Sequence, residues 1–132
     1  MSDTETGLHL RTVWLLIGWG LIVFSIVVSL NNHGLSVISG NVNDKLIHMT
    51  GYAGLMLWFS QLYHAAKPRF VTAVLLIVMG IVLEFLQGLG GTRVFEVADM
   101  IANAAGVAAG GLLALTGLDR ILSWFERRVI YR

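Results

Sequence analysis

The sequence predicts an all-α integral membrane protein, a four-helix bundle with short loops and a C-terminal amphipathic helix at the membrane interface. Of its 132 residues, 56% are hydrophobic and only 13% are charged, and the mean hydropathy is +0.75. A small soluble domain has much surface for its volume, and about 25% charged residues is typical of such domains. The composition therefore excludes a soluble monomer and predicts a single membrane domain over residues 1–132.

Four long, nearly uncharged runs are each close to the ~20 residues that cross a hydrocarbon core of about 30 Å. We predict membrane helices at 13–30, 46–65, 70–89 and 97–118. The single proline, Pro68, lies between the second and third runs, where it interrupts neither helix. The short connection around it predicts a tight hairpin of these two helices.

The lysines and arginines lie mostly on one side of such a bundle. Basic residues are retained on the cytoplasmic side of a membrane, and only Lys45 and Arg93 fall on the other side. We therefore expect both termini in the cytoplasm. The basic residues on the predicted inner side are Arg11, Lys67, Arg69, Arg120, Arg127, Arg128 and Arg132.

The tail, residues 119–132, has the pattern of an interfacial helix. Its apolar residues share one helical face, and arginines surround that face. The apolar residues are Ile121, Leu122, Phe125 and Val129. We expect the tail to lie along the inner membrane surface, and the alternative is a docking helix for a cytoplasmic partner.

Charge and motif content exclude several classes of function. Nine basic and eight acidic residues leave a net charge of +1, which gives no reason to expect a nucleic acid partner. The chain has no cysteine, so disulfides, thiolate metal sites and cysteine nucleophiles are excluded. No nucleotide-binding or serine-hydrolase motif is present, and the cofactor, if there is one, is unknown. The expected partner is the lipid bilayer.

Ionisable and amide side chains gather at one end of the predicted helices. An ionisable residue near the centre of a membrane helix costs about 2.5 to 3.5 kcal/mol on insertion scales, so each one needs an explanation. By depth and by helical face, those of the second, third and fourth helices meet near the outer membrane surface. The residues concerned are Asp44, Lys45, His48, Tyr52, Glu84, Gln87, Arg93, Asp99 and Asn103.

Small residues continue the polar face of the fourth helix towards the inner side. Gly106 and Gly110 form a GxxxG pair in line with Asp99 and Asn103. Such a pair lets another helix approach closely. We expect a close helix contact there, with a homo-oligomer through these glycines as one form of it.

In this order the polar residues resemble the VanZ-like family of small bacterial membrane proteins. The resemblance covers about half of the chain, from Asp44 to about Gly110, and it departs from the family pattern at Gly90-Gly91-Thr92, where members often have a proline-containing turn. The residues that carry it are Asp44-Lys45-x-x-His48-x-x-x-Tyr52, Glu84-x-x-Gln87, Arg93 with Asp99 six residues on, and Asn103-x-x-Gly106. It implies a multi-pass protein of the bacterial plasma (inner) membrane and a role in the cell envelope. The founding member of the family is associated with resistance to the lipid-tailed glycopeptide teicoplanin.

The polar cluster permits a catalytic interpretation. Glu84 and Asp99 form a carboxylate pair suited to general acid or base chemistry, with His48 as proton carrier. The remaining cluster residues would bind the polar part of a substrate, and the basic ones suit phosphate or carboxylate. These substrate-binding candidates are Asp44, Lys45, Tyr52, Gln87, Arg93 and Asn103. His48, Glu84 and Asp99 also offer a metal ligand set, but no paired spacing supports it and no metal is predicted.

Two alternatives stay open. Glu84 and Asp99 would serve as a titrating pair in a small proton-coupled carrier, or the cluster only pins the helices together through hydrogen bonds. Such bonds average ~0.6 kcal/mol in a membrane protein, which is little against the cost of inserting carboxylates. We therefore favour a functional site, with an envelope lipid or a lipid-tailed glycopeptide as its ligand.

Overall fold

The computed structural model describes residues 6–31, 44–91 and 94–131, and this part of the chain is helical with no strand, which confirms the all-α class. Four long helices are followed by a short 3-10 helix, Leu118–Arg120, and one further α-helix. The α-helices are α1 (Arg11–Leu30), α2 (Asp44–Leu62), α3 (Ala66–Leu89), α4 (Val97–Ala114) and α5 (Ile121–Ile130).

The helix bounds differ from the predicted ones mainly at the start of α3 and at the end of α4. Helix α3 begins at Ala66, so Pro68 lies in its first turn rather than in the connection. A proline is tolerated there because the first backbone N–H groups of a helix have no intrahelical partner. Helix α4 ends at Ala114, four residues earlier than predicted, and the turn that follows contains Gly117 with a φ of 95°. That left-handed conformation favours glycine and ends the helical run.

Among the described residues, three helices are long and apolar enough to cross a membrane, namely α1, α3 and α4. Helix α2, the second predicted span, is not among them, because it carries Asp44 and Lys45 in its first turn and several polar residues further along. It is the central helix, in contact with each of the other four α-helices. Its buried residues are His48, Tyr52, Leu55, Met56, Phe59, Ser60, Gln61 and Leu62. A helix surrounded by other helices needs less hydropathy than one that faces lipid.

The closest contact in the bundle is between α2 and α4, and two glycines permit it. An added Cβ at Gly106 would overlap the backbone carbonyl oxygen of Met49, and one at Gly110 would overlap that of Ala53. The GxxxG face is thus covered by α2 of the same chain. A homo-oligomer of this chain stays a prediction, and these two glycines already have an intramolecular partner.

Helix α5 packs on the start of α1 through a buried carboxylate. Glu126 is 2% exposed and accepts three hydrogen bonds: from the backbone N–H groups of His9 (2.6 Å) and Leu10 (2.9 Å), and from Nε1 of Trp14 (2.6 Å). Leu122 adds an apolar contact with a small core beside α2. The remaining apolar side chains of the tail stay exposed, namely Ile121, Trp124, Phe125 and Val129. The tail is therefore docked by the Glu126 carboxylate, by the apolar contact of Leu122, and by two further hydrogen bonds. In these, the Leu122 N–H donates to Gln61 and the Ser123 hydroxyl donates to the Thr6 carbonyl, and most of the apolar face is left outward.

We predict that Gly106→Ala destabilises the protein by about 1 to 3 kcal/mol, because the new methyl group overpacks the α2–α4 contact. Gly54→Ala is the matched control, since a Cβ there meets nothing within 4 Å and alanine is the better helix former. The measurement is the midpoint of thermal unfolding in detergent micelles. Equal midpoints for the two variants would contradict the close approach.

The Glu126 contacts predict a pH-dependent docking of α5. Burial by itself raises the pKa of Glu126, but the three N–H donors outweigh it and hold the pKa below the ordinary value of 4.5. Because the folded pKa is the lower one, the carboxylate contributes its full stability above about pH 4.5 and loses it as the pH falls through the folded value.

We therefore expect Glu126→Gln to lower stability by about 1 to 3 kcal/mol at pH 7, the usual cost of weakened hydrogen bonds to a charged group. The unfolding midpoints of wild type and variant should converge as the pH falls from 7 towards 3. A difference between them that stays constant over this range would contradict the role of the ionised carboxylate.

Candidate functional site

Three helix ends meet in one polar cluster, which we call the outer cluster: the first turns of α2, the last turns of α3 and the first turns of α4. Its members are nearly fully enclosed by the chain itself, and Glu84 and Asp99 are each only 2% exposed. Carboxylates are almost never buried to this extent without a partner. The buried members of the outer cluster are His48, Tyr52, Glu84, Gln87, Asp99 and Asn103.

Lys45 closes the outer cluster on its exposed side. Its Nζ lies 2.8 Å from Oε2 of Glu96 and 3.3 Å from Oδ1 of Asp99. Asp99 lies in the first turn of α4, where the positive end of the helix dipole also favours a negative charge. One half-exposed cation therefore links two carboxylates at the start of α4.

Glu84 holds the segment that leads into α4. Its Oε1 accepts a hydrogen bond of 2.9 Å from the backbone N–H of Glu96. One turn further along α3, Nε2 of Gln87 donates to the backbone carbonyl of Ser29 on α1. The end of α3 is thereby tied to both α1 and α4 by side chains that sequence analysis assigns to the site.

Tyr52 and Asn103 lie below this level, beside a glycine of α3. A Cβ added at Gly80 would lie 3.0 Å from Nδ2 of Asn103 and 3.3 Å from the hydroxyl of Tyr52, so a side chain at this position would crowd both. Among the described residues, Oδ1 of Asn103 is buried without a hydrogen-bond partner. An unsatisfied buried acceptor costs about 1 to 3 kcal/mol, and a water molecule or a ligand donor would remove that cost.

A cavity of about 210 Å³ between α1 and α2 reaches the outer cluster. His48 and Tyr52 are the members of the cluster that line it, and Ser25 and Ser29 add polar groups from α1. The rest of its wall is apolar or backbone: Phe24, Val28, Ile47, Gly51 and Leu55. The cavity is thus apolar along most of its wall, with an imidazole and a phenol where it meets the cluster. These groups can exchange hydrogen bonds with the polar part of an amphiphilic molecule.

The outer cluster contains seven of the nine predicted site residues: Lys45, His48, Tyr52, Glu84, Gln87, Asp99 and Asn103. Asp44 is exposed at the start of α2. Arg93 lies outside the described residues. The structure therefore brings the predicted acids, the histidine and the lysine together at one end of the bundle.

Sequence analysis missed Glu96 and Ser29. Glu96 contacts Lys45 through its side chain and Glu84 through its backbone, and its position three residues before Asp99, at the N-cap of α4, was a usable signal. Ser29 takes part through its backbone carbonyl. A backbone contact leaves no mark in the side-chain pattern, so the sequence carries no signal for it.

A second polar cluster at the opposite end of the bundle was also missed. Arg69 of α3 contacts Oδ2 of Asp119 at 2.5 Å and the carbonyl oxygens of Ser60 and Tyr63 at 2.9 and 2.7 Å. His64 lies 3.1 Å from the carbonyl oxygen of Asp119 through its Nε2. The tight turn between α2 and α3 and the turn after α4 are thus joined by one arginine.

The geometry gives no support to the metal alternative. Within residues 6–31, 44–91 and 94–131, no three His, Asp or Glu side chains lie close enough together to hold a metal ion. His48, Glu84 and Asp99 share the outer cluster without forming a coordination shell.

Comparison of the chain with family models, with curated proteins and with solved structures found no match. The resemblance to the VanZ-like family therefore stays a prediction that depends on the order and spacing of the polar residues.

We predict that Glu84→Ala lowers stability by about 1 to 3 kcal/mol, because the backbone N–H of Glu96 loses its acceptor in a buried position. Glu84→Gln keeps an acceptor oxygen at the same place and should retain near wild-type abundance. The checks are the amount of protein in isolated membranes and the unfolding midpoint in detergent. Equal loss in both variants would show that the charge of Glu84, and not its hydrogen bond, holds the α3–α4 connection.

Proposed function

We propose that this chain is a multi-pass protein of the bacterial inner membrane that binds an amphiphilic envelope molecule at its outer surface. The proposal places α1 to α4 across the bilayer, with both termini in the cytoplasm and α5 along the inner surface. The apolar runs support it, and so does the large number of exposed apolar side chains on α1, α3 and α4. Examples are Leu16, Phe24, Phe70, Leu75, Ile101 and Leu112. Contiguous apolar surface of this extent is typical of a membrane-facing protein.

The distribution of charge supports the orientation. The end of the bundle that holds α5 carries Arg69, Arg120, Arg127 and Arg128, whereas the outer cluster has Lys45 as its cation among the described residues. Basic residues are retained on the cytoplasmic side. The outer cluster then faces the outer leaflet and the periplasmic side.

The cavity between α1 and α2 is the observation that carries the binding proposal. Most of its wall is formed by apolar side chains of α1 and α2, and His48 and Tyr52 line its polar part. A hydrocarbon tail fits its apolar wall, while the imidazole and the phenol bind oxygens of the attached polar group. Lys45, half exposed above them, attracts a phosphate or a carboxylate on that group.

The buried acids have a supporting role in this proposal. Glu84 fixes the segment before α4 through the N–H of Glu96, and Asp99 holds Lys45. Neither carboxylate is among the lining residues of the cavity. Binding is therefore the function that the geometry supports best, and a covalent step is not part of the proposal.

The resemblance to the VanZ-like family suggests the class of molecule. An envelope lipid of the outer leaflet and a lipid-tailed glycopeptide such as teicoplanin both join an acyl tail to a polar group. The tail is what the α1–α2 cavity would recognise. Vancomycin, which lacks the tail, is the natural comparison.

We predict that expression of the wild type protects a susceptible host against teicoplanin and not against vancomycin, and that Gly51→Leu abolishes this protection. Gly51 lines the cavity and a Cβ there meets nothing within 4 Å, so a leucine fills the cavity without displacing the outer cluster. The measurement is the minimal inhibitory concentration of each antibiotic at matched membrane levels. We expect the value for Gly51→Leu to return to that of the empty vector.

Gly54→Leu is the matched control. It lies on the same helix, has equally open surroundings and does not line the cavity. Protection that survives in Gly51→Leu, or is lost equally in both variants, would contradict the cavity as the binding site.

If the wild type gives no protection, native mass spectrometry of the purified protein tests whether an envelope lipid is the ligand. Co-purified lipid retained by Gly54→Leu and lost from Gly51→Leu would support it, and equal lipid content would overturn it.

A further inference from the structure

A second cavity, of about 320 Å³, lies at the inner end of the molecule, opposite to the outer cluster. It is formed where the N-terminal segment, the end of α2 and helix α5 meet. Its lining residues are Thr6, Gly7, His64, Arg120, Ser123 and Arg127. Every one of these except glycine has a side chain that can donate a hydrogen bond. The inner cavity is thus a polar, donor-rich site, unlike the apolar cavity between α1 and α2.

The inner cavity carries positive charge that nearby acids do not neutralise. Among the described residues, neither Arg120 nor Arg127 forms a salt bridge. Asp119 is engaged by Arg69 at 2.5 Å, and Glu126 accepts three N–H groups from the start of α1. The two carboxylates closest in sequence to these arginines are therefore already occupied. Two guanidinium groups remain beside an open, polar cavity.

The wall of the inner cavity includes a buried hydroxyl without a partner. Thr6 is only 6% exposed, and its Oγ1 has no hydrogen-bond partner among the described residues. Its backbone is held in place, because Oγ of Ser123 donates to the carbonyl oxygen of Thr6 at 3.0 Å. Gly7, with a φ of 62°, turns the chain immediately after it. Thr6 therefore brings an unsatisfied hydroxyl to the wall of this cavity, and the two arginines supply the positive charge that an oxyanion requires.

His64, in the connection between α2 and α3, completes the wall. Its Nε2 lies 3.1 Å from the carbonyl oxygen of Asp119 and 4.0 Å from the carboxylate of the same residue, and both groups are acceptors. Nε2 therefore carries the proton and donates to Asp119. The histidine is thereby oriented by the turn that leads into α5.

We propose that the inner cavity binds a phosphate group, with Arg120 and Arg127 as its cationic ligands and Thr6 as a neutral donor. Guanidinium groups pair with phosphate oxygens in bidentate fashion. The outward face of α5 carries exposed Ile121, Trp124 and Phe125, so in the proposed topology the cavity lies at the level of the inner-leaflet headgroups. The phosphate is that of an anionic phospholipid or free phosphate from the cytoplasm, and both offer the same chemistry. This site is separate from the proposed outer binding function and does not depend on it.

The test uses the full chain in nanodiscs of phosphatidylcholine, compared with nanodiscs that contain phosphatidylglycerol and with phosphatidylcholine nanodiscs to which inorganic phosphate is added. The readouts are the unfolding midpoint and the concentration dependence of its shift. Arg120→Gln, Arg127→Gln and Thr6→Val remove one ligand each. Arg128→Gln is the control of equal charge, because Arg128 lies over the ring of Trp124 at 4.6 Å and does not line the cavity.

We expect phosphatidylglycerol or phosphate to raise the midpoint of the wild type and of Arg128→Gln alike. A basic residue near an anionic surface contributes about 1 kcal/mol, so loss of either Arg120 or Arg127 should weaken binding roughly fivefold. Thr6→Val, which keeps the size and charge of the site, should also weaken it. A response to phosphatidylglycerol alone identifies the lipid as the source, and a response to free phosphate identifies the soluble ion.

Three outcomes would overturn the proposal. The first is a wild type that responds to neither phosphatidylglycerol nor phosphate, which needs no variant to establish. The second is an equal loss in Arg128→Gln and in the two cavity variants, which indicates general attraction to an anionic surface. The third is that Thr6→Val binds as tightly as the wild type, which would mean that the arginines attract the anion without a contribution from Thr6.

Discussion

The close approach of α2 and α4 is the contact on which the rest of the structure depends. Gly106 and Gly110 have no side chain, so the backbone carbonyls of Met49 and Ala53 lie where a Cβ would otherwise be. On α4, Asn103 and Asp99 lie about one and two turns before Gly106, and on α2, His48 and Tyr52 lie on either side of Met49. A short interhelical distance here therefore sets the distance between His48 and Asp99 in the outer cluster, and a wider one would open the buried cluster to water or lipid.

The acidic side chains at the two ends of the bundle have different kinds of partner. At the outer end, Glu84 and Asp99 are buried and are satisfied by a backbone N–H and by Lys45. At the inner end, Asp119 binds Arg69 and Glu126 docks α5. Among the described residues, neither carboxylate therefore forms a salt bridge with Arg120 or Arg127. Positive charge that is not needed for folding is available for binding.

Helix α1 has a different relation to the bundle from that of the other long helices. It is the least buried of the three candidate membrane spans among the described residues. Gly18 is its one buried residue, and a cavity separates part of it from α2. It is attached at its two ends, by Glu126 near its start and by Gln87 near its end. Between these ends Gly18 packs against Trp58 and Phe59 of α2, and the cavity lies nearer to the end that Gln87 holds. The candidate outer site therefore depends on α1 as much as on the helices that carry its acids.

The sequence by itself determined the all-α class, the positions of the long helices to within a few residues, and the gathering of His48, Glu84 and Asp99 at one end. These follow from the length of apolar runs and from the 3.6-residue period, which are local properties. Only the tertiary structure decided that α2 is the central helix, that Glu126 is a buried acceptor rather than a surface charge, and that Thr6, Arg120 and Arg127 line one cavity. Each of these depends on contacts between residues more than 50 positions apart or on backbone groups, and neither kind of contact leaves a periodic mark in a single chain.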